Sequence, residues 1–335
     1  MNALTDRLRR AGLAGPRGGL LLAAVAIALC FLRPSVPATA TEQDLLFMID
    51  VTQSMEVADV RQGDAPPITR SRAAHEAIAA ALRRLPCGSR IGFGLFTEYR
   101  SFLLLRPVEL CENQRELIAM LGRIDTQMAW NGNSEIAKGL YSGLKTARAL
   151  PDKPALVFVT DGHEAPPVNP RFRPDEDGAA RAVPGLIVGV GGMTPARIPK
   201  LDPEGRAYGW WGADEVLQVD PRSLGRGGSV KGEQMVDDGA GEEAPMLGAT
   251  PGSEHLSSLR EPYLKLLAGE TGLGYHRLVD ADRLLDALSD PALARRVEAR
   301  ADLRWVLALV ALAALVAVYR PATWRRPRAR SRLTT

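Results

Sequence analysis

Two apolar runs that each end in a carboxylate constrain this chain most: Asp44 to Asp50 (DLLFMID) and Ala155 to Asp161 (ALVFVTD). A segment apolar at every position has to be covered on both faces, which is the environment of a central strand in a parallel sheet. Gly185 to Val190 (GLIVGV) has the same character. Between these runs the spacing becomes helical. Arg70 to Leu85 places Ala73, Ala77, Ile78, Ala81, Leu82 and Leu85 on one side, and Pro86 and Gly88 stop it. Further helices are predicted at 113–124 and 134–150. Arg90 to Phe96 and Ser101 to Val108 flank the short link Thr97 to Arg100 and predict a hairpin. Strands alternating with helices imply an α/β fold, a doubly wound and mostly parallel sheet with right-handed crossovers. Ligands in such sheets bind at the carboxyl ends of the strands, where Asp50 and Asp161 lie.

From Asp202 to about Ser258 the pattern breaks. Gly, Pro and charge dominate, with GRGG at Gly225 to Gly228 and acidic Asp237, Asp238, Glu242 and Glu243, so an irregular insertion is expected over 202–258. Helical spacing returns at 259–270, a short strand is expected at 275–279 and a last helix at 281–288. A single domain over 41–290 fits these elements. A helical stem over 291–302 would follow it.

The chain ends read differently. Gly19 to Leu32 is an uncharged apolar run behind Arg7, Arg9, Arg10 and Arg17, so residues 1–18 form a basic head and 19–33 a signal peptide or an uncleaved anchor. Ala38-Thr39-Ala40 offers a small-x-small cleavage site, and both readings stay open. Leu303 to Tyr319 predicts a transmembrane helix, with Arg304 at its edge and Trp305 and Tyr319 at interface positions. The tail 320–335 carries six Arg and no acid, which by the positive-inside rule puts it in the cytoplasm and the domain in the periplasm.

Composition narrows the chemistry. The 42 Lys and Arg against 39 Asp and Glu give no basic stripe interleaved with aromatics, which argues against nucleic-acid binding. With three Cys and four His and no C-x-x-C, H-E-x-x-H, P-loop or G-x-S-x-G string, the sequence argues against zinc, P-loop and hydrolase-elbow chemistry.

Three loops carry oxygen ligands instead. Asp50-Val51-Thr52-Gln53-Ser54 presents a carboxylate and two hydroxyls; Trp130-Asn131-Gly132-Asn133-Ser134-Glu135-Ile136 presents Ser134 before a helix; Val159-Thr160-Asp161-Gly162 presents a carboxylate after a strand. The first closely resembles the D-x-S-x-S loop of von Willebrand factor type A (VWA) domains, with Thr in place of the first Ser. The second and third match that family's remaining loops, in family order, over about residues 43–290. The resemblance implies a Rossmann-like fold with a metal-ion-dependent adhesion site (MIDAS) whose ligands are Asp50, Thr52, Ser54, Ser134 and Asp161. The donor chemistry agrees independently. Three hydroxyls and two carboxylates suit a hard cation, Mg2+ first, with Mn2+ and Ca2+ as alternatives, and leave charge on the ion for a carboxylate donated by a partner protein. The bland reading, that D-x-T-x-S caps a helix and T-D-G makes a turn, explains each motif alone but not three in order. His163 as a ligand and Glu164 as a base behind the ligands are one reading of the residues next to the site; the favoured expectation is that both are exposed loop residues of the rim and not ligands, since imidazole prefers softer metals.

The strings Asp161 to Pro167 (DGHEAPP), Pro199 to Asp202 (PKLD), Gly209-Trp210-Trp211 and Leu259 to Leu264 (LREPYL) resemble a bacterial subgroup. Its members are membrane-anchored A-domain proteins of methanol dehydrogenase maturation, and the strings also fit periplasmic A-domain proteins that work beside AAA-type ATPases. The resemblance implies a non-enzymatic, metal-dependent binding module. A metal-dependent hydrolase and a scaffold whose metal only stabilises the fold are the alternatives. Trp210 and Trp211, large aromatics in a Gly-rich stretch, are candidates for partner contact, with folding back onto the domain equally open.

Hairpin register predicts one disulfide. If Phe96 pairs with about Ser101, Cys87 falls opposite about residue 110, within one residue of Cys111, and an oxidising compartment would join them. Two buried thiols are the alternative.

Overall fold

The computed structural model describes residues 16–130, 132–167, 183–216 and 253–319. The basic head before residue 16, the body of the insertion (217–252) and the tail after 319 lie outside the described residues. The chain forms two compact units, residues 41–295, and residues 1–40 with 296–335.

In chain order the elements are α1 (Pro16–Cys30), β1 (Ser35–Asp50), β2 (Ala58–Val60), β3 (Ile68–Thr69), α2 (Arg70–Leu82), β4 (Arg90–Thr97), β5 (Arg100–Glu109), α3 (Leu110–Leu121), α4 (Ile136–Ala149), β6 (Ala155–Thr160) and β7 (Gly185–Gly189). They continue with β8 (Ala196–Arg197), β9 (Pro199–Leu201), β10 (Ala207–Trp210), β11 (Leu256–Ser257), α5 (Glu261–Thr271), β12 (Gly274–Arg277), α6 (Ala281–Leu288), β13 (Ala294–Asp302) and α7 (Arg304–Tyr319). Short 3-10 turns span Gln53–Glu56 and Thr126–Met128.

The main sheet runs β12-β7-β6-β1-β4-β5, with β13 paired to β1. β1 lies parallel between β4 and β6, and β7 and β12 extend the parallel run, while β5 closes the other edge antiparallel to β4. Because side chains alternate along a strand, Leu45, Phe47 and Ile49 join one core with α2, α3 and α6. Leu46 and Met48 join the opposite core with α4 and α5. Both faces are covered, as the uninterrupted apolar runs demand. Gly139 lets α4 lie close on β4, since a Cβ there would run into the Phe96 ring.

The hairpin forms with Phe96 opposite Ser101. Irregularities near Phe93 then shift the register so that Arg90 faces Glu109. Cys87 and Cys111 are nevertheless bonded, with alpha carbons 5.3 Å apart, because both sit just past the same end of the hairpin.

Three expectations change. The insertion is not irregular at its start, since β10 pairs antiparallel with β9. The stem expected to be helical is the strand β13, which satisfies its backbone by pairing with β1. The apolar segments at both ends are helices, but α1 has 15 residues and α7 has 16. At 1.5 Å per residue α7 covers about 24 Å, short of a hydrocarbon core of about 30 Å. Among the described residues no helix is long and apolar enough to cross a membrane. Within their own unit α1 and α7 pack through Ala23, Ala26, Ala311 and Ala314, small side chains that allow close approach.

Candidate metal centre

The carboxyl ends of β1 and β6 deliver Asp50 and Asp161 side by side below the surface, with Asp50 at 1% and Asp161 at 0% exposure. The turn after β6 uses Gly162 at φ 76°, the left-handed region where a side chain is strained. Each carboxylate is bonded to one hydroxyl of the Thr52–Ser54 loop. The Thr52 hydroxyl donates to Asp50 Oδ1 at 2.7 Å, and the Thr52 N–H donates to the same oxygen at 2.9 Å. Asp50 Oδ2 accepts from the Thr160 hydroxyl at 2.6 Å. The Ser54 hydroxyl bonds Asp161 and stands 3.2 Å from Thr52 Oγ1.

Ser134 arrives from the other side of the sheet edge. Its backbone exchanges two 2.8 Å hydrogen bonds with Ala165, which fixes it just before α4. Its hydroxyl is buried without a hydrogen-bond partner among the described residues. Thr52, Ser54 and Ser134 all line one pocket of about 220 Å³, together with Gln53, His163, Trp211 and Glu254. Asp50 and Asp161 do not line it. The structure therefore brings the five residues together with the hydroxyls lining the pocket and the carboxylates behind them, where each carboxylate accepts a hydrogen bond from one of these hydroxyls and leaves that oxygen's lone pairs free for a cation.

The two carboxylates differ electrostatically. Burial, and then the neighbouring Asp161 charge, push the Asp50 carboxyl up to about 7. Burial pushes Asp161 the same way and is the largest single influence, but the Arg70 guanidinium, together with His163 and the hydrogen bonds from the His163 N–H and the Ser54 hydroxyl, outweighs it and holds that carboxyl below its usual value.

Arg70 is a residue that sequence reasoning missed as part of the site. It opens α2, is fully buried, and its Nη1 donates to Asp161 Oδ2 at 2.5 Å and to Ser257 Oγ at 2.6 Å. The same guanidinium reaches Asp59 at 2.6 Å and the Ser54 carbonyl at 3.3 Å. Gly191, at φ 125°, leaves room for it, because a Cβ there would stand 2.6 Å from Arg70 Nε. The sequence offered only a faint signal, a cation at the first position of a helix, where the dipole favours anions.

His163 and Glu164 are not exposed rim residues. Their exposures are 3% and 8%. Glu164 Oε1 accepts from the Ala137 N–H at 3.1 Å and from the Tyr263 hydroxyl at 2.5 Å, so it satisfies an open amide at the start of α4. Burial pushes its carboxyl up to about 8. These bonds, not exposure, occupy the DGHEAPP string.

The two tryptophans part company. Trp211 donates from Nε1 to Gln53 Oε1 at 2.6 Å, and its backbone N–H bonds the Ile198 carbonyl, so it folds back as a wall of the pocket. Trp210, on β10, is 54% exposed.

Among the described residues no three His, Cys, Asp or Glu side chains cluster so as to hold a metal, so a cation here would depend on hydroxyls. The donors fit one: the Ser134 hydroxyl is buried without a hydrogen-bond partner among the described residues, and Ser134 lines a pocket shared with two hydroxyls backed by carboxylates, so its oxygen is available to a hard cation.

No protein-family model and no curated protein matches the chain. Among solved structures it is similar to an aerotolerance-related membrane protein from Bacteroides fragilis, at 16% identity and a TM-score of 0.46, covering 75% of this chain and 98% of that one. It is also similar to the conserved hypothetical protein BatB from Bacteroides thetaiotaomicron, at 16% identity and a TM-score of 0.45, covering 74% and 96%. A von Willebrand factor type A protein from Catenulispora acidiphila is similar at 15% identity and a TM-score of 0.31, over 46% of this chain and 36% of that one. Fold and site together define an open-sheet α/β domain with a hydroxyl-lined, carboxylate-backed pocket at the carboxyl ends of its central strands.

Proposed function

We propose that residues 41–295 are a VWA-type binding module that takes a divalent cation, Mg2+ or Mn2+, on Thr52, Ser54 and Ser134, with Asp50 and Asp161 orienting those hydroxyls and supplying the negative field. The ion would present its remaining charge to a carboxylate of a partner protein. The observation that carries this reading is the Ser134 hydroxyl, buried without a hydrogen-bond partner among the described residues, on a residue that lines the pocket of the other two. A buried hydroxyl without a partner costs free energy, and a cation would supply that partner. The apolar helices α1 and α7 serve in this reading as membrane attachment, with the module in the periplasm. A partner in assembly of a periplasmic enzyme such as methanol dehydrogenase fits the DGHEAPP and PKLD strings of the sequence.

The module is proposed to act by binding and not by turnover. Glu164 is engaged by Ala137 and Tyr263, which leaves it poorly placed to serve as a general base.

Calorimetric titration of the full chain in detergent with Mg2+ and Mn2+ tests the reading, against Ser134→Ala and Asp50→Ala. Both variants should lose at least about tenfold in affinity, the size typical of a lost ligand or its supporting partner. Unchanged metal binding in both would overturn the assignment.

A further inference from the structure

We infer that His163 Nε2 is a ligand of the cation held in this pocket, with the Glu254 carboxylate beside it, so that the site takes a nitrogen-accepting divalent ion of the first transition row, such as Mn2+, in preference to Mg2+. This rests on the metal reading above and changes its sphere from all-oxygen to mixed.

Three observations converge. First, His163 lines the same pocket as Thr52, Ser54 and Ser134, and one residue separates it from Ala165, the backbone partner of Ser134. Second, its tautomer is set. The imidazole bonds the backbone of Glu254, while Nε2 is buried and has no hydrogen-bond partner among the described residues. With Nδ1 as the bonded nitrogen donating its proton to that carbonyl, Nε2 carries a lone pair, the arrangement in which a histidine is prepared for a metal by the hydrogen bond its other nitrogen makes. Third, Nε2 stands 3.6 Å from Glu254 Oε2. That is too long for a hydrogen bond, so the carboxylate lies beside the Nε2 lone pair without consuming it and is within reach of an ion bound there. A neutral imidazole lone pair, a carboxylate and hydroxyls form a donor set that suits Mn2+ and later ions, whereas Mg2+ gains little from nitrogen. The sequence argument that imidazole prefers softer metals thereby reverses: the buried imidazole selects the metal.

The test is electron spin-echo envelope modulation on the full chain in detergent with equimolar Mn2+. Nitrogen modulation is expected from unlabelled protein, and it should convert to the 15N pattern in protein labelled with 15N only at histidine. Of the four histidines, His163 is the one that lines the pocket. In His163→Gln the modulation should vanish, and Mn2+ affinity should fall about tenfold or more while Mg2+ affinity changes less. Mn2+ bound without nitrogen modulation, or modulation that survives in His163→Gln, would overturn the inference. The labelling result stands even if that variant fails to fold. Absence of Mn2+ and Mg2+ binding altogether would instead refute the metal reading beneath it.

Discussion

The Arg70 guanidinium lies 2.5 Å from Asp161 Oδ2, and neither side chain is exposed. A permanent cation thus sits behind a pocket proposed to hold a second one, and it neutralises one of the two carboxylates there. Breaking a buried pair from one side leaves an uncompensated charge, which costs about 3–5 kcal/mol. Arg70→Met should therefore lose about that much in urea denaturation. Arg70→Lys should lose less but still be destabilised, because an ammonium cannot reach Asp59, Ser257 and Asp161 in one fork. Removing the charge should also strengthen cation binding in any Arg70→Met protein that folds. Wild-type stability in that variant would show that the arginine is not holding the site together.

Asp50 makes the stability depend on pH with a sign that a metal can reverse. Its carboxyl rises in the fold from 3.8 to about 7, so the native chain binds more protons than the unfolded one between those values and loses stability as pH rises through them. Glu164, raised to about 8, and Glu254, raised to about 7, act in the same direction. Asp161 is depressed and acts oppositely, contributing stability that is lost only as pH falls below 3.8. A divalent cation favours the ionised Asp50, so the rise in Tm on adding Mn2+ should be small at pH 5 and large at pH 8. In Asp50→Asn that difference should shrink. An equal metal-induced shift at both pH values in wild type would place the ion away from this carboxylate.

What the sequence made legible was whatever local pattern specifies. Uninterrupted apolar runs such as Leu45–Ile49 located the central strands, and three loop motifs located the residues that meet at the sheet edge. The end of the hairpin was legible because Phe96 and Ser101 pair across a short turn. Burial in loops was not legible: His163 and Glu164 look like rim residues, yet Tyr263 and Glu254, about 100 residues away, cover them. Arg70 hid for the same reason, since Ser257 and Asp161 reach it only through the tertiary fold. The stem misled because the pairing of β13 with β1 joins segments some 250 residues apart, which no local spacing announces.

The two adjacent tryptophans should separate in experiment. Trp211 is tied to Gln53, between Thr52 and Ser54, so Trp211→Phe, which keeps the ring but removes the N–H, should loosen that loop and lower cation affinity. Trp210 is half-exposed and touches none of the pocket, so Trp210→Ala should leave cation affinity unchanged and reduce only partner binding, where an exposed indole is a typical anchor. Equal effects on metal binding from both changes would contradict the division seen in the structure.

The Cys87–Cys111 bond joins residues 24 apart in sequence and staples the end of the β4–β5 hairpin to the first turn of α3. Closing a loop of that size stabilises the fold by about 3 kcal/mol in the chain-entropy model. Gln114, one turn further along α3, donates to the Leu82 carbonyl at the end of α2, so the staple holds a corner that links both helices to the sheet. The bond lies at the opposite end of β4 from Thr97, next to the site loops, so its loss should act on stability and not on the pocket. Cys87→Ser with Cys111→Ser should lower unfolding free energy by about 3 kcal/mol and leave cation affinity unchanged. Protein purified without reductant and alkylated before digestion should yield the two cysteines as one linked peptide pair, with Cys30 alone labelled. Labelling of Cys87 and Cys111 in that material would mean that the chain matures in a reducing compartment, contrary to the periplasmic placement proposed for the module.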